Sequence, residues 1–446
     1  MAEVIEDASG FRGEAERLIL PATEAEVLQM ISAAACDAVP LTVIGAGTGL
    51  TGGSVPRSGW AVSMQRFPRI EISPGRAIVG PGVSLEELQA AAARSGQFYP
   101  PDPTETAASI GGTIANNASG SRSFRYGSTR RHILRLRAVM MDGRVRDFRR
   151  GDKIDFDVPA LPLPQTTKNT AGYPLAPGMD WIDLFAGSEG TLGIFTEAEL
   201  QLLPKPADLL AGVVFFETDD AALGAVDAWR NLPGLRMLEY FDRNSLAFLR
   251  QRFDETPPNA GAALLIEQED GDIDFWVERV PEDSWFAASD QDRERFRRFR
   301  HALPELVNDT MRRSGFLKLG SDYAVPVARN RDMLAYYHAR LREQSLDYVI
   351  FGHIGDAHVH VNILPDSQAQ FDAGQRLMLD FARHAVKLGG TVSAEHGLGK
   401  RKAHLLALQY TPEQIESMKQ VKRRLDPQWL LNRGNLFAAP DESGVR

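Results

Sequence analysis

The sequence predicts an α+β fold built in two parts, on three observations. Strand-like and helix-like segments alternate from the beginning. The alternation breaks off and restarts after ELQLLPKPAD (199–208). Beyond that point strands recur at short, hairpin-like returns, the spacing an antiparallel sheet requires.

The elements follow in chain order. Thr23 and Glu26 form a capping-box pair ahead of the apolar stripe Val27, Met30, Ile31 and Ala34, which predicts a helix facing a core. LTVIG (41–45) and AIVGPGV (77–83) read as short strands, and Ser84 with Glu87 starts a helix that Gly96 ends. From Pro100 to Tyr126 the side chains are mostly small. A flexible linker has the same texture, but Ile110, Ile114, Phe124 and Tyr126 are spaced through this stretch and its first half carries little charge. Such a segment suits backbone lying close against a flat ligand. In the second part LLAGVVFFE (209–217), AALLIEQE (262–269), DYVIFG (347–352) and HVHVNIL (358–364) read as strands. DDAALGAVDAW (219–229) and RLMLDFARHAVKL (376–388) read as helices, the second ended by Gly389. Thr411, Pro412 and Gln414 open a last helix that Pro427 stops.

Composition narrows the function classes. The 446 residues are 43% hydrophobic and 24% charged, as in an ordinary globular protein, and the net charge of −9 disfavours nucleic acid as a partner. Arginines cluster between Arg122 and Arg150, first a solvated or anion-contacting face and second a docking face for an acidic partner. Cys36 is the only cysteine, which excludes an internal disulfide and an all-cysteine iron–sulfur cluster. The acidic start MAEVIEDASG has no apolar signal region, and no stretch approaches the ~20 apolar residues of a membrane span. The expectation is a cytoplasmic protein, peripheral to a membrane only through a partner.

VIGAGTGLTGGSVP (43–56) holds the spacing G-x-G-x-x-G at Gly47, Gly49 and Gly52. A nicotinamide fingerprint needs a helix directly after these glycines. Gly53, Pro56 and Gly59 forbid one, and Glu71, near the distance of a ribose-binding acid, stands alone. The stretch reads instead as a loop whose own backbone N–H groups cradle a diphosphate.

The densest chemistry lies in FGHIGDAHVHVNILP (351–365) and GTVSAEHGLGKRK (390–402), which hold four of the nine histidines. On a strand His358, His360 and Asn362 share one face. His353, before a Gly-Asp turn, can fold back toward His360, and Glu395 and His396 arrive beside a glycine-rich bend. Two imidazoles and a carboxylate can hold a metal ion and leave a position open. In DRERFRRFRHALPEL (292–306) most arginines form a solvated face, but Arg300 shares a face with Phe296 and Leu303 and needs an anion there. Pro304 is expected to limit this helix.

Three segments in order, VIGAGTGLTGG, PPDPTETAASIGGTIANNASG and AGSEGTLGIFTEAEL, followed by HIGDAHVH…VN and SAEHG, resemble a known family. They are similar to the flavin enzymes of the vanillyl-alcohol-oxidase and p-cresol-methylhydroxylase superfamily. The branch is that of FAD-linked D-lactate dehydrogenases, glycolate oxidases and D-2-hydroxyglutarate dehydrogenases. The resemblance runs from about Asp7 to Phe437. It implies a FAD-binding domain over 1–205, a substrate or cap domain over 206–395, and a segment over 396–446 returning to the FAD domain. FAD would be held by Gly45, Ala46, Gly47, Thr48, Gly49, Thr51, Gly52 and Gly53; by Gly111, Gly112, Asn116, Ser119 and Gly120; and by Glu189, Gly190 and Ile194. Where the family usually has arginine before the glycine loop this chain has Ile44. Thr48 stands where relatives with covalent flavin carry histidine, so the flavin is expected to be non-covalent. The implied metal ligands are His353, His360 and Glu395, for zinc or else manganese or ferrous iron. His396 is the implied base, and Arg300, Lys318 and Asn362 are the implied substrate contacts. His358 departs from relatives, which often have asparagine there. The implied activity is dehydrogenation of a small D-2-hydroxy acid, with electrons passed to a cytochrome, an electron-transferring flavoprotein, a quinone or a partner protein. The alternatives are an oxidase, an ether-lipid-synthase-like enzyme of the same fold, or a non-catalytic subunit that carries FAD as structure.

Overall fold

The structure, a computed structural model, describes residues 3–287 and 289–438. Its first part combines a three-stranded parallel sheet, ordered Arg17–Ile19, Trp60–Ser63, Leu41–Ile44, with a five-stranded antiparallel sheet. The latter runs Val145–Arg149, Ile133–Val139, Ile194–Gln201, Arg76–Val79, Ile70–Ser73. Leu41–Ile44 and Trp60–Ser63 lie parallel, so the chain must cross over between them. The glycine loop makes that crossover without a helix. Helix Glu24–Cys36 buries Val27, Met30, Ile31 and Ala34 against Leu41, Val62 and Ile194. Thr23 caps it, but the Glu26 carboxylate accepts from the N–H of Ala22 rather than from that of Thr23. Helix Leu85–Ala93 has the full reciprocal capping box of Ser84 and Glu87.

The second part is one seven-stranded antiparallel sheet: Trp285–Ala287, Leu209–Phe216, Ala262–Glu269, Leu235–Asp242, Tyr348–His353, His358–Ile363, Leu319–Gly320. Both faces are covered. Helices Arg243–Leu249 and Asp290–Ser314 cover one, with Phe296, Phe299 and Leu303 packed on Val213, Phe241 and Leu265. On the other, Val226, Trp229 and Tyr337 pack with Val214, Tyr240 and Leu264. Burial on both sides explains why these strands read as continuous apolar runs rather than alternating ones. The expectation that Pro304 limits its helix is corrected: the helix runs from Asp290 through Pro304 to Ser314. Its buried face, held by aromatic contacts from Phe299 to Phe241 and Phe253, outweighs the hydrogen bond that proline cannot donate. The small-residue stretch is also not all loop, since Ile110–Ala115 and Ser123–Tyr126 are short helices.

The C-terminal segment closes onto the first part. Helix Pro412–Leu425 is followed by Leu430 and Leu431, which are buried beside Val27 and Leu41. The N–H of Leu41 donates to Leu430, and that of Asn432 donates back to Leu41. Among the described residues no helix is long and apolar enough to cross a membrane.

Candidate active site

A cavity of about 310 Å³ lies where the two parts meet. The glycine loop, residues 109–120, residues 189–193 and the end of the antiparallel sheet wall it. The glycines divide into two kinds. A Cβ on Gly45 would sit 2.2 Å from Ser109 Oγ, one on Gly111 2.7 Å from Pro81, and one on Gly120 2.1 Å from the Asp102 carbonyl. These allow segments to pack. Gly49 is different: its φ is unremarkable and a Cβ would meet nothing nearer than Asp7 Oδ2 at 3.6 Å. The fold does not require glycine there, and a bare backbone on the cavity wall is what close approach of a diphosphate requires. Gly47 takes φ +72°, and its Cβ would meet nothing nearer than 3.9 Å.

Of the residues expected to hold FAD, Gly45, Ala46, Gly47, Thr48, Gly49, Thr51, Gly53, Gly111, Gly112, Asn116, Ser119, Gly120, Glu189 and Gly190 line this cavity. Gly52 does not; its N–H donates to Asp7 Oδ2 at 2.8 Å, which shapes the loop from behind. Ile194 is fully buried in the core among Met30, Leu41 and Val62. The Glu189 carboxylate accepts from the N–H groups of Leu398 at 2.6 Å and Gly399 at 2.8 Å. It thereby holds the bend that follows His396, and burial pushes its pKa up to about 7.

At one end of the cavity the two chemical stretches converge. Strands Tyr348–His353 and His358–Ile363 pair His353 with His358 and Phe351 with His360, which sets the imidazoles on one face. His353 Nε2 lies 3.2 Å and His360 Nε2 3.3 Å from the same atom, Glu395 Oε1. Each ring is fixed through its other nitrogen. His353 Nδ1 is 2.6 Å from Glu239 Oε1, and His360 Nδ1 is 3.2 Å from the Ser321 carbonyl. The second carboxylate oxygen of Glu395 accepts from Ser119 at 2.8 Å and from Lys168 Nζ at 3.0 Å. Three donor atoms thus face one point while the outer atoms hold orientation, the arrangement of a ligand set with its supporting hydrogen bonds. Burial opposes charge on His353, yet Glu239 and Glu395 overcome it and lift its pKa to about 9. A cation bound here would displace that proton, because a ligating imidazole must be neutral.

His396 stacks on His360 with ring centroids 5.4 Å apart. Its side chain is 25% exposed, more than the other imidazoles of the cluster. Burial, partly offset by Asp322 and Glu395, pushes its pKa down to about 4. The ring is therefore neutral near pH 7 and can accept a proton.

Arg300 lines the cavity from the long helix. Its Nε is 2.9 Å from Glu239 Oε2 and its Nη1 donates to Thr104 at 3.1 Å. The anion required for an arginine on this face is thus Glu239, which joins Arg300 to His353. Lys318 is exposed just before the edge strand Leu319–Gly320, and Asn362 is buried opposite Gly320 in the ladder; neither is on the cavity wall.

Three residues of the site carried no readable sequence signal. Glu239 sits mid-strand in LRMLEYFD, between Arg236 and Asp242, and nothing in that pattern marks it out. Asp322 is fully buried and accepts from the N–H of His396 at 2.9 Å and the hydroxyl of Ser393 at 2.8 Å. Lys168, from a polar loop, is buried against Glu395 and Asp356.

Comparison with known proteins gives the family. The family described as FAD linked oxidases, C-terminal domain, matches residues 205–436, and the FAD binding domain family matches residues 15–149. The chain is 29% identical to a D-lactate dehydrogenase of Archaeoglobus fulgidus, over 94% of this chain and 90% of that protein. It is 30% identical to glycolate oxidase subunit GlcD of Escherichia coli K12, over 96% and 84%. It is 29% identical to a D-2-hydroxyglutarate dehydrogenase of Xanthomonas citri, over 95% and 89%. A solved alkyldihydroxyacetonephosphate synthase shares the fold, with a TM-score of 0.65 at 16% identity over 93% of this chain and 75% of that one. The chain belongs to the FAD-linked oxidases, among the oxidoreductases of the D-lactate, glycolate and D-2-hydroxyglutarate dehydrogenase branch.

Proposed function

We propose that the protein is a dehydrogenase of a small D-2-hydroxy acid, with FAD bound non-covalently and a divalent cation assisting. The observation that carries this reading is the convergence of His353, His360, Glu395, His396 and Arg300 at one end of a glycine-walled cavity. FAD, when bound, supplies the hydride acceptor. A cation, zinc by preference and manganese or ferrous iron by the same donor chemistry, would be held by His353 Nε2, His360 Nε2 and Glu395 Oε1, and would supply Lewis acidity toward the substrate hydroxyl.

The chain's own groups do the rest. The Arg300 guanidinium attracts the substrate carboxylate, and Glu239 and Thr104 fix its plane. His396, neutral and the most open imidazole of the cluster, takes the hydroxyl proton as general base. Asp322 steadies it from behind, accepting its backbone N–H and lying 3.5 Å from Nδ1. The product is the 2-oxo acid. With a single cysteine the chain has no all-cysteine cluster to receive electrons, so they leave to an external acceptor such as a cytochrome, a flavoprotein, a quinone or a partner protein.

The test is dye-linked oxidation of a panel of 2-hydroxy acids, both enantiomers, with flavin bleaching followed anaerobically. A D-enantiomer should bleach the flavin and its mirror image should not. Failure of every 2-hydroxy acid to bleach it would overturn the assignment. Dialysis against a strong chelator should abolish turnover and added zinc or manganese should restore it. Full activity after proven removal of metal would remove the cation from the reading.

A further inference from the structure

We propose that His358 is a fourth protein ligand to the cation, so that this chain offers three imidazoles and one carboxylate. The inference rests on the cation reading above.

Backbone register brings the three rings together. His358 is two residues before His360 on one strand and directly opposite His353 on the next. All three therefore project from one face. Ring centroids lie 4.6 Å apart for His358 and His360, and 5.4 Å apart for His353 and His358. One donor atom each from His353, His358, His360 and Glu395 lie within 4.8 Å of one another. A single ion can bridge donors so spaced after small side-chain adjustments.

The state of the His358 ring points the same way. The side chain is 0% exposed, Nε2 lies 3.2 Å from Asp322 Oδ1, and Nδ1 has no hydrogen-bond partner among the described residues. A fully buried imidazole with one nitrogen left unsatisfied is costly, and buried polar groups left so call for an explanation such as an ion. His353 and His360 each have one nitrogen fixed by an acceptor and one aimed at the cluster. His358 would be satisfied in the same sense once one nitrogen bonds the ion. Four protein donors fill the tetrahedral shell that zinc prefers, so a substrate oxygen would join as a fifth donor.

The experiment uses the flavin-loaded protein and zinc. X-ray absorption at the zinc edge should count three imidazoles in the wild type and two in His358→Asn. Chelator competition should show zinc binding at least tenfold weaker in the variant. Affinity alone does not separate a ligand from a supporting residue, whose loss also costs roughly 10–100-fold; the imidazole count does. Two imidazoles in the wild type would overturn the proposal, and this holds even if the variant fails to fold. An unchanged count in a variant that keeps its FAD would overturn it as well. If the wild type takes up none of zinc, manganese and ferrous iron, the cation reading itself falls and His358 with it, an outcome distinct from both.

Discussion

His396 and Glu239 touch different members of the cluster, Glu395 and His353, and substitution can separate their effects. His396→Ala removes the proposed general base and leaves the backbone of the cavity wall in place. Loss of a positioned general base costs typically 10²–10⁴-fold in rate. Turnover should fall by that order while the flavin-to-protein ratio stays that of the wild type. A turnover within tenfold of normal would remove His396 from its role. Glu239→Gln acts on the framework instead. Glu239 is buried; burial raises its pKa, but His353 and Arg300 outweigh that and hold it well below the ordinary carboxylate range. Neutralising it leaves the Arg300 charge buried without its counter-ion, a change that typically costs about 3–5 kcal/mol. Global stability in urea should drop by that order, and KM for the hydroxy acid should rise as Arg300 loses its fixed plane. Unchanged stability would mean that Glu239 is not the compensating charge. Sequence made the histidines visible because four of them crowd two short stretches. It could not show Glu239 or Asp322, whose significance is entirely spatial: one carboxylate in a buried strand looks like any other until its partners are known.

Elements were legible in proportion to how local their causes are. The helices opened by Ser84 and Thr411 are fixed by residues three apart, and both form the reciprocal box. The helix through Pro304 defied local rules because its reason is tertiary: an aromatic face buried on the sheet. Another local cap has a consequence for pH. Asp242 ends its strand and caps helix Arg243–Leu249, accepting from the N–H of Ser245 at 2.8 Å and its hydroxyl at 2.6 Å. Burial pushes its pKa up to about 7 despite those bonds. Its folded pKa thus exceeds the unfolded value of about 3.9. The stability it contributes is full below about pH 3.9 and is lost as pH rises through about 7. Between pH 5 and pH 8 the wild type should lose on the order of 2 kcal/mol from this group. Asp242→Asn keeps an acceptor oxygen for the cap and cannot ionise. Urea unfolding at the two pH values should therefore show a smaller loss for the variant. Parallel pH profiles for the two proteins would contradict a protonated Asp242 in the native state.

At the scale of the molecule the cavity owes its shape to both parts, and a half-buried ionic network fastens them. Arg122, next to the flavin-side glycines, has Nε 3.0 Å from Glu267 Oε2 and Nη2 3.2 Å from Glu267 Oε1, while Arg236 Nε lies 2.9 Å from Glu267 Oε2. Asp102 holds Arg122 from the other side at 3.5 Å. Tyr126 donates to Glu269 on the same strand of the sheet. Glu267→Gln would cost two guanidinium groups their shared anion at this junction while Asp102 and Glu269 remain, a change of about 1–3 kcal/mol. A ligand that binds only the folded state adds stability as RT ln(1 + [L]/Kd), or about 2.7 kcal/mol at a hundredfold excess over Kd. Free FAD at that excess should raise the melting temperature of flavin-stripped wild-type protein by a few degrees. If the network holds the cavity walls in register, Glu267→Gln should do more than melt earlier. It should bind FAD more weakly, so that the same FAD concentration yields a smaller rise. A variant that melts earlier yet keeps the full FAD-induced rise would show that the junction stabilises the fold without shaping the cofactor site.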